Sequence, residues 1–138
     1  MKKMLTTDFA SKGIISILSF MVIFHLLVIF KLIPVEIVWG GNIETNRQFY
    51  IMEATSITLN LFFIFIVSVY AGFLKFNLNP VMLRMVIWTM FILFLLNTIG
   101  NLMSKNPLEA YLFTPLTILL AFFCFRIAAF GFETNTDS

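Results

Sequence analysis

The side chains able to do chemistry in this chain are few, and their spacing is informative. Glu53, Ser56 and Asn60 stand at i, i+3 and i+7, the interval that sets side chains on one face of a helix. Asn97, Gly100, Asn101 and Ser104 repeat the pattern at i, i+3, i+4 and i+7, and Thr114, Thr117, Ala121 and Cys124 make a small, weakly polar stripe. His25 is the only histidine. A carboxylate within apolar sequence must be paired or protonated, so Glu53 is a candidate counter-ion for a ligand or a general base. His25 is a candidate acid/base group or proton carrier. The amides of Asn60, Asn97 and Asn101 can donate and accept, and so can line a ligand site.

Each of these residues also has a structural reading. Glu53 could reach the headgroups or pair with Arg47, and His25 could sit neutral against Asn60. The three amides could be interhelical glue, each worth about 1 kcal/mol or less. Glu109, three residues after Asn106, suits the positive end of a helix dipole. Glu36 could pair with Lys31 or Lys105.

Composition decides what must hold these groups. The 138 residues are 60% hydrophobic and 12% charged, with a formal net charge of +2, and the mean hydropathy is +0.98. Soluble domains are about one quarter charged, so a water-soluble globule and a nucleic-acid binder are excluded. One cysteine and one histidine exclude an internal disulfide, a zinc cluster and a bis-histidine haem within one chain. No metal site and no cofactor is expected.

A bilayer core of about 30 Å takes about 20 apolar residues as helix. Residues 13–33, 51–74, 81–101 and 108–128 meet that length. Pro34 ends the first span, and Asn79-Pro80 and Asn106-Pro107 each pair a capping side chain with a proline at the first helical position. Thr45 with Gln48 forms a capping box for the second helix. Short links favour antiparallel neighbours, so the expected fold is all-α, a single transmembrane domain over residues 1–138 built as an up-down-up-down four-helix bundle.

Lys2, Lys3, Lys12, Lys75, Arg84 and Arg126 fall on one side of this arrangement and Lys31, Arg47 and Lys105 on the other. By this bias both termini are expected to be cytoplasmic, and the protein is expected to be a multi-pass resident of the plasma membrane. The first span is longer than the apolar core of a signal peptide, so it is expected to be retained.

At about 1.5 Å per residue, Asn60 lies about 15 Å and His25 about 12 Å below the exoplasmic boundary. With Glu53, Ser56, Asn97 and Asn101 they outline an outward-facing cleft between helices. Above it runs the longest loop, in which Glu36, Trp39, Gly40 and Gly41 are the expected lid.

The stretches Ile33-Pro-Val-Glu-Ile-Val-Trp-Gly-Gly41, Asn97-Thr-Ile-Gly-Asn-Leu-Met-Ser-Lys105 and Phe113-Thr-Pro-Leu-Thr117 resemble those of uncharacterised small bacterial four-span integral membrane proteins. The resemblance implies a bacterial cytoplasmic-membrane home and brings no activity with it. The architecture is also similar to that of the sterol-isomerase and sigma-2-receptor group, by analogy of fold alone.

Three functions fit the residues. The first is a binding protein holding a small polar or amphipathic molecule, such as a lipid headgroup or a cationic amphiphile, with Glu53 as counter-charge. The second is an intramembrane isomerase-like proton-transfer enzyme using Glu53 and His25, which requires the two within hydrogen-bond reach. The third is an accessory or scaffold subunit of a membrane complex. Beyond the lipid bilayer, the expected partners are that ligand and either a second copy, forming a homodimer, or a larger membrane complex.

Overall fold

The computed structural model describes residues 2–35 and 43–133. Four helices account for nearly all of them: α1 (Lys2–Ile29), α2 (Asn46–Tyr70), α3 (Pro80–Leu102) and α4 (Pro107–Phe130). No strand occurs among the described residues. Each helix contains a stretch long and apolar enough to cross a membrane.

The helix starts follow local chemistry. The side chains of Thr45, Asn79 and Asn106 accept from the backbone N–H groups of Gln48, Val81 and Leu108, and Pro80 and Pro107 occupy first-turn positions where no amide is needed. Gln48 reaches back to the Glu44 N–H, one residue before the cap.

Two helix ends differ from the sequence expectation. α1 stops at Ile29, ahead of Pro34, because Lys31 turns into the left-handed region at φ 59°. The Leu32 N–H then reaches the Leu27 carbonyl and the Lys31 N–H reaches that of Val28, both at 2.9 Å. This is a Schellman closure. α2 ends by the same device at Tyr70, short of residue 74, with Gly72 at φ 82° and the Phe73 N–H on the Ser68 carbonyl. α1 also begins well before residue 13, and α4 runs two residues past 128.

The helices pack in the order α2, α1, α4, α3, with α3 resting chiefly on α4 and only lightly on α2. The main core is formed by Ile14 and Leu18 of α1, Ile66 and Val67 of α2, Ile87 and Met90 of α3, and Leu120, Cys124 and Ile127 of α4. Gly13 lets α1 lie directly against the Phe123 ring. A second, smaller cluster of Phe24, Val28, Phe49 and Phe113 closes the end where α1 meets the start of α2 and α4, and Ile33, Val35 and Ile43 from the connecting link pack onto it. At the other end the Arg84 Nε–H donates to the Ala128 carbonyl at 2.9 Å, and the Tyr70 hydroxyl donates to that of Gly131.

Candidate functional site

Two buried polar centres lie at the end of the bundle that carries the aromatic cluster. The first joins α1 to α2. His25 Nδ1 lies 2.7 Å from Glu53 Oε2. Glu53 is 0% exposed and His25 only 7%. Glu53 sits in the second turn of α2, four residues after the buried Phe49, and that register turns its carboxylate onto α1. Phe24 lies edge-on to His25 and to Phe113, so aromatic rings separate this centre from the neighbouring helix.

The second centre joins α3 to α4. The Thr98 hydroxyl donates to Thr117 Oγ1 at 2.9 Å, and both groups are buried. Each oxygen also lies within hydrogen-bond distance of the carbonyl four residues earlier in its own helix, an alternative acceptor for its single proton. Asn101 Nδ2 approaches Thr117 Oγ1 at 3.4 Å. A turn further on, the Ser104 hydroxyl bonds the buried Glu109 carboxylate and also accepts from the Asn106 N–H. Pro115 contributes here. It has no N–H for the Tyr111 carbonyl, and it falls between Phe113 and Thr117, where side-chain bonding to the backbone is concentrated.

The sequence-derived residues divide accordingly. His25 and Glu53 come together directly. The partners considered from sequence, Asn60 for His25 and Arg47 for Glu53, are replaced, because the α1–α2 register sets the two titratable groups opposite each other and leaves Arg47 exposed. Glu53 is accordingly engaged within the protein through Oε2 and is wholly buried. Ser56 and Asn60 lie on the same side of α2 as Glu53 but are only half-buried, and neither makes a side-chain hydrogen bond with any described residue.

Asn97 departs most from expectation, since it is exposed, as is Gly100. The buried face of α3 runs through Leu83, Ile87, Met90, Phe94 and Thr98, one residue out of step with the asparagine stripe. Asn101 is half-buried at the edge of that face. The lid residues Glu36, Trp39, Gly40 and Gly41 lie outside the described residues; the flanking Val35 and Ile43 pack on the aromatic cluster.

Thr98 was not singled out from sequence. Its signal was present, since it continues the Ile87, Met90 and Phe94 spacing, but a threonine in an apolar run carries less weight than two neighbouring asparagines. Among the described residues no group of three or more His, Cys, Asp or Glu side chains could hold a metal ion.

No family model, curated protein or solved structure matches the chain. Its class therefore rests on the fold: four helices, each long and apolar enough to cross a bilayer, make an integral, multi-pass membrane protein.

Proposed function

We propose that this protein binds a small polar or amphipathic molecule between its helices, at the end of the bundle that holds His25 and Glu53. One observation carries the reading. Taking Glu53 as zero and about 100° per residue, Asn60 lies about 20°, Ser56 about 60° and Phe63 about 80° round α2 in the same sense. Glu53 and Phe63 are buried, yet Ser56 and Asn60, within the arc they bound, are only half-covered and without hydrogen-bond partners among the described residues. Unpartnered polar groups on the inward face of a membrane helix are costly, and a bound polar head offsets that cost.

In this reading the termini are cytoplasmic, the helices alternate in direction, and the site opens to the exoplasmic half of the plasma membrane. The kinship is with small bacterial four-span proteins. Ser56, Asn60, Asn97 and Asn101 bind, and Glu53 acts through His25, fixing its ring by the 2.7 Å contact.

The test is thermal stability of purified protein with a panel of lipids, fatty alcohols and amines, for wild type and Asn60→Leu. Stabilisation of wild type alone is expected. A panel that never stabilises wild type, together with a stoichiometric protein partner in native purification, overturns the reading in favour of an accessory subunit.

The same contact favours a second reading, an intramembrane proton-transfer enzyme. An imidazole on a carboxylate at 2.7 Å is the arrangement a general acid/base pair needs. Deuterium exchange from solvent into a bound, activated C–H substrate, lost in Glu53→Gln, is its expected sign. Binding without exchange leaves the first reading standing alone.

A further inference from the structure

We infer, resting on the binding reading above, that the ligand is a bilayer-dissolved amphiphile with an uncharged, hydrogen-bonding head, entering sideways between α2 and α3. The geometry of α3 supplies the first part. About Phe94, at about 100° per residue, Thr98 lies about 40° and Arg84 about 80° to one side, and Asn97 about 60° to the other. Thr98 and Arg84 both bond to α4. Asn97 therefore flanks the side away from α4, where α2 approaches, and its exposure there follows from α2 and α3 being the least closely packed neighbours.

The levels then coincide. The rings of Phe63 and Phe94 meet with centroids 5.9 Å apart and close the gap between the two helices. From that contact toward the Glu53 end of α2, Asn60 stands three residues away, and toward the Thr98–Thr117 end of α3, so does Asn97, both about 4.5 Å along the axis. Ser56 and Asn101 each stand seven residues away, about 10.5 Å; Asn101 directs one N–H at Thr117 of α4, leaving its carbonyl oxygen and other N–H for a ligand. Two rungs of polar side chains thus stand beyond an aromatic contact on the side where α2 and α3 pack least closely, and we take the space between them as the ligand's way in from the lipid.

The rungs define the head chemistry. Three carboxamides and one hydroxyl carry no charge and can both donate and accept. Glu53 is wholly buried against His25, and Lys31, Arg47 and Lys105 are exposed. Such a lining matches hydroxyl, ester or carbonyl oxygens, and a fixed cation or anion would find no opposite charge on either rung. Glycerol monoesters and long-chain alcohols have this chemistry. The acyl or alkyl chain would remain among the exposed Leu59, Leu93 and Leu96 on the lipid side.

The experiment uses the full chain in nanodiscs, photolabelled with a diazirine-bearing monoacylglycerol and mapped by mass spectrometry. Labelling should concentrate on residues 56–63 of α2 and 94–101 of α3. Unlabelled monooleoylglycerol should compete, while dodecyltrimethylammonium and oleate should not. Asn60→Leu and Asn97→Leu should each cut labelling about tenfold, and the second lies on an exposed position where the fold cannot be its cause. Competition by dodecyltrimethylammonium but not monooleoylglycerol overturns this inference and leaves the binding reading standing. Labelling spread over all four helices and indifferent to every competitor and variant overturns both.

Discussion

His25 Nδ1 and Glu53 Oε2 stand 2.7 Å apart in the bundle interior, and the two side chains come from helices joined by the chain's longest loop. The pair therefore ties the register of α1 to that of α2 at this level. Removing one partner of a buried charged or charge-assisted pair takes that contact from the other and costs up to about 3–5 kcal/mol, more than replacing both with apolar groups. Glu53→Leu and His25→Leu should each lower the unfolding midpoint strongly. The double variant should be more stable than the sum of the two losses implies. Denaturant unfolding in mixed micelles measures the cycle, and simple additivity would mean that the pair contributes no coupling.

Asn60 should separate stability from binding. Its amide has no hydrogen-bond partner among the described residues and is only half-buried. Replacing it with leucine removes a desolvated polar group, so Asn60→Leu should be stabilised by about 1 kcal/mol in the absence of ligand. The same substitution should abolish the ligand-induced rise in melting temperature. A variant that is destabilised, with ligand response intact, would make Asn60 a structural residue.

Thr117 is the hub of the α3–α4 centre, meeting Thr98 at 2.9 Å and Asn101 at 3.4 Å. Thr117→Val keeps the volume and removes the hydroxyl. Interhelical hydrogen bonds in membranes average about 0.6 kcal/mol and reach about 1.7, so a loss in that range is expected, measured as the shift in unfolding midpoint. Thr98→Val, which leaves the Asn101 contact in place, should cost less, and the double variant little more than Thr117→Val, since the two hydroxyls share one bond.

Much of this was legible in the sequence, and what was missed has physical causes. The four helices follow from the length of their apolar runs, and three of their starts from Thr45, Asn79 and Asn106, because capping is a local property. The α1 end was misplaced because the closure falls on Lys31, a residue type that rarely adopts positive φ, while Pro34 gave the more obvious stop. His25 and Glu53 stood out as ionisable groups in apolar sequence, but their pairing depends on the register between two helices, which one helix's periodicity does not contain. Asn97 was set on the inward face because polar residues in membrane helices usually turn inward. That rule gives way where a neighbouring helix packs only lightly, as α2 does on α3.

The α1 end offers a test of backbone strain. Lys31 sits at φ 59°, a region that costs an L-residue about 1 kcal/mol or more relative to glycine. Lys31→Gly should stabilise the protein by about 0.5–1 kcal/mol in thermal or denaturant unfolding. A loss of stability would show that the lysine's anchoring at the membrane surface outweighs the strain.

Two glycines make a controlled pair. A Cβ built at Gly13 would lie 2.6 Å from Cε2 of Phe123, whereas one built at Gly100 meets nothing within 4 Å. Both positions are helical, so alanine brings the same gain in helix propensity, up to about 1 kcal/mol. Gly13→Ala must in addition push the Phe123 ring, which stacks edge-on with Phe9; overpacking of that kind costs about 1–3 kcal/mol. Gly100→Ala should therefore match or exceed wild type in melting temperature, and Gly13→Ala should fall below it. The contrast separates helix propensity from interhelical contact. If both variants gained stability, the close approach of α1 to α4 at Gly13 would be contributing nothing to the packing of the bundle.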